Sequence, residues 1–375
     1  MIAAAGSKHA AVVIYPARNH VPQHEAQIHR DIAMRIADLL DVPFLGMYDR
    51  TVHQGLRCYY VPTDTLLTPA LRNALGVEDE TDLFGGYADY PFMPTKAITH
   101  PLFSVHAQRP DGWSDTFSGK VKSVTLPGYT VFSIDDLASA ATYMLREGGP
   151  FRLKPVQATA GRGQLLVKDK KEFEAAVAQL DTAALSTHGL VLERHLEEVV
   201  TYSVGQVRLH GLTASYIGTQ QLTQDNHGHE VYGGSRLQFA RGRYEALQGL
   251  ALADEERLAI EMARRYDEAA DACYPGFFAS RRNYDVAAGV DAQGERTIGV
   301  LEQSWRIGGA SRAEIAALEV LAADVQCESL CAETLEIFGA EVTAPEDAVE
   351  TYSGEDPELG LIRKYVRVHA NGNKQ

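Results

Sequence analysis

The residues best placed to do chemistry fall in two groups. In the first, FRLKPVQATAGRG at 151–163, a strand carries Lys154 into a loop of small residues ending in Gly161, Arg162 and Gly163. Backbone N–H groups in such a loop can approach an anion closely, and a nearby ammonium adds a point charge for a phosphate. The glycine–lysine–serine/threonine order of a Walker loop is absent. A surface turn between two strands with an incidental lysine has the same signature.

The second group runs from Asn283 and Asp285 to Glu302 and Arg306, with a turn signal at Asp291–Glu295 between them. A hairpin centred between Gln293 and Gly294 sets Asp285 directly opposite Glu302. Like charges in that position are destabilising unless something neutralises them. Mg²⁺ does so with one or two carboxylates plus phosphate and water. A one-residue slip sends one carboxylate to the other face. An exposed hairpin with carboxylates near both ends is the plain alternative.

These groups need a frame. Residues 10–15 read as a buried strand, 23–40 as a helix with Ile28, Ile32, Ile36, Leu39 and Leu40 on one face, and 42–47 as another buried strand. Strand, helix, strand begins a parallel α/β layer. Glycines and prolines make 76–117 a region of loops. From 118 the rhythm is strand 129–133, a helix to Arg146 capped by Ser133, strands 151–156 and 164–168, a helix 170–180 and a strand 190–193. The remainder reads as strands at 201–209, 213–218, 284–290 and 296–302, a helix at 253–271 and a helical region at 311–338. A polar tail follows Pro345, with a basic strand-like run at 362–368. The expected division is an amino-terminal domain 1–117, a small central module 118–188, a carboxy-terminal domain 189–345 and a tail 346–375.

Composition narrows the function classes. The 375 residues carry a formal net charge of −15, which argues against nucleic acid or an anionic membrane as partner. Apolar runs are short and the start lacks a secretory pattern, so neither a membrane span nor export is expected. Cys58, Cys273, Cys327 and Cys331 form no disulfide framework, which suits a reducing cytoplasm. The stretch 118–188 alone has a net positive charge, nine basic against seven acidic groups.

In this order the pieces resemble the ATP-grasp superfamily, over about residues 115–315. The resemblance implies an ATP-grasp architecture of mixed α/β and α+β class: an amino-terminal parallel α/β layer, a central α+β lid module and a carboxy-terminal α+β domain. It implies ATP and Mg²⁺. Lys120 and Lys154 match the two ATP-contacting lysines, and Thr159, Ala160, Gly161, Arg162 and Gly163 the lid loop over the phosphates. LVLERHL at 190–196 looks like the hinge that reads adenine, with Glu193, His195 and Leu196 as nucleotide-binding residues. Asp285 and Glu302 match the two acidic metal ligands, and Ser304 stands where the family usually has asparagine. Arg306 stands where some members keep an active-site arginine. Together with Arg282, it is a candidate for holding a substrate carboxylate. The whole chain is similar to an uncharacterised bacterial biotin-carboxylase-like family with no assigned reaction.

The expected activity is ligation of a small-molecule or peptide carboxylate to an amine or similar nucleophile, through an acyl phosphate. An ATP-grasp kinase acting on a hydroxyl and a non-catalytic ATP-binding protein are the alternatives, and a homodimer is compatible with either. His20, His24 and His29 stand at helix-like spacing, as surface residues or as the lining of a substrate cleft. Cys327 and Cys331 read as small apolar residues on one helical face. The stretch 219–236 reads as a substrate loop or a plain hairpin.

Overall fold

The computed structural model describes residues 7–157, 163–339 and 343–369. Strand β1 (Ala11–Tyr15), helix α1 (Gln23–Leu40) and strands β2 (Phe44–Met47) and β3 (Cys58–Pro62) build a parallel sheet in the order β2-β1-β3. The apolar side chains of α1 recur at helical spacing, so Ile32, Ile36 and Leu40 are buried. Strand β2 was expected to be buried. It is instead an edge strand whose Leu45 and Met47 are exposed. Short strands β4 (Leu66–Leu67) and β5 (Gly86–Ala88), with helix α2 (Pro69–Leu75) between them, pair with each other in a second small sheet, whose third strand comes from residues 278–279. A 3₁₀ turn at Lys96–Thr99 and helix α3 (Asp115–Val121) lead out of it.

The central module holds β6 (Gly128–Val131), α4 (Ile134–Glu147), β7 (Phe151–Pro155), β8 (Leu165–Val167), α5 (Lys170–Val177), α6 (Thr182–His188) and β9 (Leu190–Arg194). Ser133 Oγ accepts from Asp136 N–H at 3.1 Å, which is the expected helix cap. The sheet order β6-β9-β7-β8 puts β9 in the interior. A module ending at residue 188 therefore stops one strand short. Val131, Leu137, Ala141, Phe151, Leu153 and Leu192 form its core.

The rest of the chain forms one large antiparallel sheet from β10 (Glu197–Leu209), β11 (Leu212–Gln224) and β12 (Glu230–Arg241). After helix α7 (Asp254–Cys273) and strand β13 (Phe278–Ala279) come β14 (Arg281–Val290) and β15 (Arg296–Ser304). Helix α8 (Ser311–Ala323), β16 (Ser329–Phe338), β17 (Val349–Asp356) and β18 (Gly360–His369) follow. The order is β15-β14-β10-β11-β12-β16-β18-β17, so β17 and β18 are part of the sheet and not a tail. The region 311–338 is likewise not one helix. It divides after Ala323 at Asp324, and Cys331 lies on a strand. The stretch 219–236 is the β11–β12 hairpin, which forms the fourth and fifth strands of the sheet.

Each face of this sheet carries its own core. Val204, Ile217, Tyr284, Val286 and Val300 pack on Ala259, Ala263 and Tyr266 of α7. Val207, Tyr216, Leu237 and Phe239 pack on Ile315 and Leu318 of α8 and on Ile32 and Ile36 of α1. Residue parity along a strand therefore decides whether a side chain enters the α7 core or faces α1, α8 and the cleft.

Candidate active site

Asp285 and Glu302 are direct partners across the β14–β15 ladder, and Asn283 pairs with Ser304 in the same register. The route to that pairing differs from the sequence expectation. Val290 pairs with Arg296, so the turn is centred on Gln293 and has an odd number of residues. Beyond Asp285, Val286 pairs with Val300, which leaves Leu301 as a bulge. The bulge restores the register that the odd turn had shifted. Both carboxylates thus return to one face.

The pair is electrostatically costly as it stands. Burial first and the neighbouring Glu302 second push the Asp285 carboxyl up to about 6. Asn283 Nδ2 donates to Asp285 Oδ1 at 3.0 Å, and Ser203 Oγ lies 3.4 Å from the same oxygen. Asn283 is fixed in turn by Tyr216 OH, 2.9 Å from its Oδ1. Ser304 Oγ accepts from Arg281 at 3.1 Å.

Lys96 is the cation that meets this pair. Its Nζ lies 3.1 Å from Glu302 Oε2, and its side chain is 5% exposed. Gln303 of β15 pins the segment by donating to Met93 O at 2.8 Å and Thr95 O at 2.7 Å, and from the module side Thr130 Oγ1 donates to Ala97 O at 2.7 Å. At the end of the same turn, His100 Nε2 is 3.1 Å from Glu193 Oε2, and Glu193 forms a buried ion pair with Lys154. Burial raises the Glu193 carboxyl, but Lys154 and His100 outweigh it and hold it below the ordinary carboxylate range. One short segment therefore links the lysine of the module to the acid pair of the large sheet.

The remaining expected residues divide. Lys120 is exposed on α3, and its electrostatic neighbour is Cys273 at the end of α7. It does not join the acid pair; Lys96 does. Arg282 turns the other way along β14, donates to Asp267 at 2.7 Å and Asp271 at 2.8 Å, and lies over the Phe277 ring. It belongs to the α7 core side. Arg306 is on the cleft side, 3.9 Å from Asp64, with one N–H on Ile307 O at 2.9 Å. Thr159, Ala160, Gly161 and Arg162 lie outside the described residues, whereas Gly163 adopts φ +67°. His195 and Leu196 link β9 to β10. The N–H groups of Arg194 and His195 are spent on Pro127 O and Pro150 O, so a base cannot be read through those two donors.

Lys96 was missed because it sits among the prolines of 91–101, where no periodicity marks an element. Its one local signal is Thr95, whose side chain caps the Ala97 N–H. At Gly309 a Cβ would meet the Tyr232 ring at 2.6 Å, so glycine lets α8 start against the sheet.

Among the described residues no group of three or more His, Cys, Asp or Glu side chains gathers as a metal site, and no helix is long and apolar enough to cross a membrane. Two opposed carboxylates with neutral oxygens beside them are a hard donor set, which fits Mg²⁺ shared with phosphate better than zinc.

The family described as "Protein of unknown function (DUF3182)" matches residues 12–366. The chain belongs to this family. No curated protein sequence matches this DUF3182 chain. Among solved structures it is similar to carboxyaminoimidazole ribonucleotide synthase from Aspergillus clavatus, complexed with ATP, at 13% identity and TM-score 0.46, covering 96% of this chain and 94% of that one. It is similar to D-alanyl-alanine synthetase A from Vibrio cholerae at 10% identity and TM-score 0.44, covering 79% and 89%. Phosphoribosylglycinamide synthetase from Anaerococcus prevotii gives 11% identity and TM-score 0.42, covering 96% and 94%.

Proposed function

We propose that this DUF3182 protein is an ATP- and Mg²⁺-dependent ligase of the ATP-grasp kind that activates a carboxylate for attack by an amine or similar nucleophile. The observation that carries the reading is the Asp285–Glu302 pair, forced together by a compensating bulge and met by Lys96. A fold that served stability alone gains nothing from two carboxylates face to face. The paired lysine of the module, Lys154, supports the same reading from the other wall of the cleft.

In this reading Lys154 and Lys96 would hold the phosphates of ATP, and the β9–β10 link would bound the nucleotide between the module and the large sheet. Asp285 and Glu302 would hold Mg²⁺, with Ser304 beside them, and Asn283 orients Asp285. The metal supplies neutralisation of phosphate charge. Lys96 and Lys154 stabilise charge developing on the transferred group, and Arg306 holds the substrate carboxylate near it. The protein positions and stabilises; it forms no covalent bond itself.

The test is product analysis with purified full-length protein. Release of ADP and phosphate that requires both a carboxylic acid and an amine supports the ligase. ADP formation with a phosphorylated hydroxyl product and no free phosphate assigns a kinase instead. ATP binding without turnover on any substrate panel assigns a binding protein.

A further inference from the structure

A second polar cluster lies beside the acid pair, at the carboxyl ends of β1 and β3. The order β2-β1-β3 makes the gap between β1 and β3 a switch point, where the loops after adjacent parallel strands part and open α/β layers bind ligands. The N–H groups of Ala17 and Arg18, after β1, both donate to Thr63 Oγ1, after β3, at 2.9 and 3.0 Å. Around this crevice stand Arg18, His24, His29, Arg306, Lys364 and Tyr352.

Several of these groups are buried with hydrogen-bonding capacity unused. His24 and His29 are 6% and 3% exposed, and the Nδ1 atom of each has no partner. The same holds for Tyr352 OH and for Arg18 Nε. Thr65, in the loop after β3, adds a hydroxyl that is 3% exposed and unpartnered. Each such group costs about 1–3 kcal/mol if nothing satisfies it. The histidines share a common set of neighbours. His29 faces Arg18, Glu25, Arg306 and Lys364, and His24 faces Lys364, Glu25, Glu336 and Asp356. Lys364 is held by Glu336 at 2.7 Å and Arg18 by Glu25 at 2.6 Å. Tyr232, which faces both Glu336 and Asp285, joins the crevice to the acid pair.

The charge pattern selects the ligand class. Arg18, Arg306 and Lys364 are interleaved with Glu25, Asp64, Glu336 and Asp356. No net positive field results, so a dianionic phosphate gains little there. A small molecule carrying both charges can pair with each.

We infer that this crevice binds the carboxylate substrate of the ligase and that the substrate is a zwitterion, a free amino acid or short peptide. Its carboxylate lies against Arg18 and Arg306, and its ammonium lies toward Glu336 and Asp356. The inference rests on the proposed ligase reading for the role of the ligand, though not for its binding.

The test is calorimetric titration of the full-length protein, both without nucleotide and with Mg²⁺ and a non-hydrolysable ATP analogue. The probes are the standard free amino acids, a dipeptide panel, their carboxamide counterparts and inorganic phosphate. At least one zwitterion binds, its carboxamide binds at least about tenfold more weakly, and Arg18→Gln and Lys364→Met each weaken it by a similar factor. Thr65→Val, which keeps the side-chain shape, weakens binding less and guards against misfolding of the charge variants. Absence of zwitterion binding in both states overturns the inference, as does binding of phosphate alone or binding unaltered by all three substitutions. Zwitterion binding without ATP binding leaves the crevice standing and removes the ligase reading; ATP binding without any zwitterion does the reverse.

Discussion

Strand β14 carries a polar cluster on each of its opposite faces, and the two are built on different terms. Toward α7, Arg282 meets Asp267, Asp271 and Ala279 O, and Tyr284 OH is 2.5 Å from Asp267. Its charges are paired and its donors have acceptors. Toward the cleft, Asp285 faces Glu302, and its carboxyl is held well above the usual carboxylate range. The first cluster has the partners a buried ion network needs to persist. The second sets two carboxylates against one lysine, Lys96, so its charges are only partly compensated. Adjacent residues on one strand are thus separated by pleat alone into structure and candidate chemistry.

The largest expected contrast comes from removing one carboxylate on each face. Asp285→Asn lowers Mg²⁺-dependent ATP turnover by about 10³-fold yet stabilises the metal-free protein at neutral pH. The sign follows from linkage. The folded state keeps a proton on Asp285 that the unfolded chain releases between the usual carboxylate range and about pH 6, so ionisation at pH 7 costs roughly 3 kcal/mol. Asp267→Asn destabilises by about 3 kcal/mol because Arg282 loses a buried partner, while turnover of the folded fraction is retained. Urea melts and phosphate-release assays on the two variants check both halves.

Lys154→Met comes next. ATP affinity falls by about a hundredfold, and stability falls because Glu193 is left buried without its cation. Adding Glu193→Gln recovers the melting temperature and leaves ATP affinity low. Recovery of both assigns Lys154 to the fold alone.

Lys96, which meets the acid pair, and Lys120, expected as an ATP-contacting lysine, separate by a smaller margin. Lys96→Met lowers kcat/KM by about tenfold, and Lys120→Met changes it by less than about twofold. Steady-state kinetics on both variants decides between the burial of one and the exposure of the other.

The smallest of these effects is one on stability and belongs to the histidines of α1. Burial first, then Arg18, with Arg306 and Lys364 adding to it, holds His29 down at about 4. Only the unfolded chain takes up that proton between about pH 4 and 6.5, so stability from this site is present above the window and is lost as pH falls through it. His29→Gln flattens the dependence of melting temperature on pH across that range.

Much of this frame was legible in the sequence because its signals are local. The α1 periodicity, the Ser133 cap and the strand-loop alternation around Lys154 each act within a few residues. The facing of Asp285 and Glu302 was also legible, although a shifted turn and the bulge at Leu301 cancel in a way that no turn rule predicts. Lys96 was not legible, since only the tertiary pinning by Gln303 and Thr130 brings it to Glu302. Arg282 was misplaced because proximity in sequence to Asp285 says nothing about which face an odd offset selects. The two final strands, a β17–β18 hairpin joined to the sheet through β16, read as a tail because the stretch after Pro345 is polar and acidic, and β16 was hidden by its continuity with an apolar helix.

The central claim is that the acid pair exists to hold a metal–nucleotide complex. It is tested most directly by calorimetric titration of ATP into the wild-type protein and Asp285→Asn, each with and without Mg²⁺. The account predicts that ATP binds the wild type, that Mg²⁺ tightens binding, and that the tightening disappears in the variant. ATP affinity that is absent in the wild type, or equally Mg²⁺-dependent in both proteins, contradicts it.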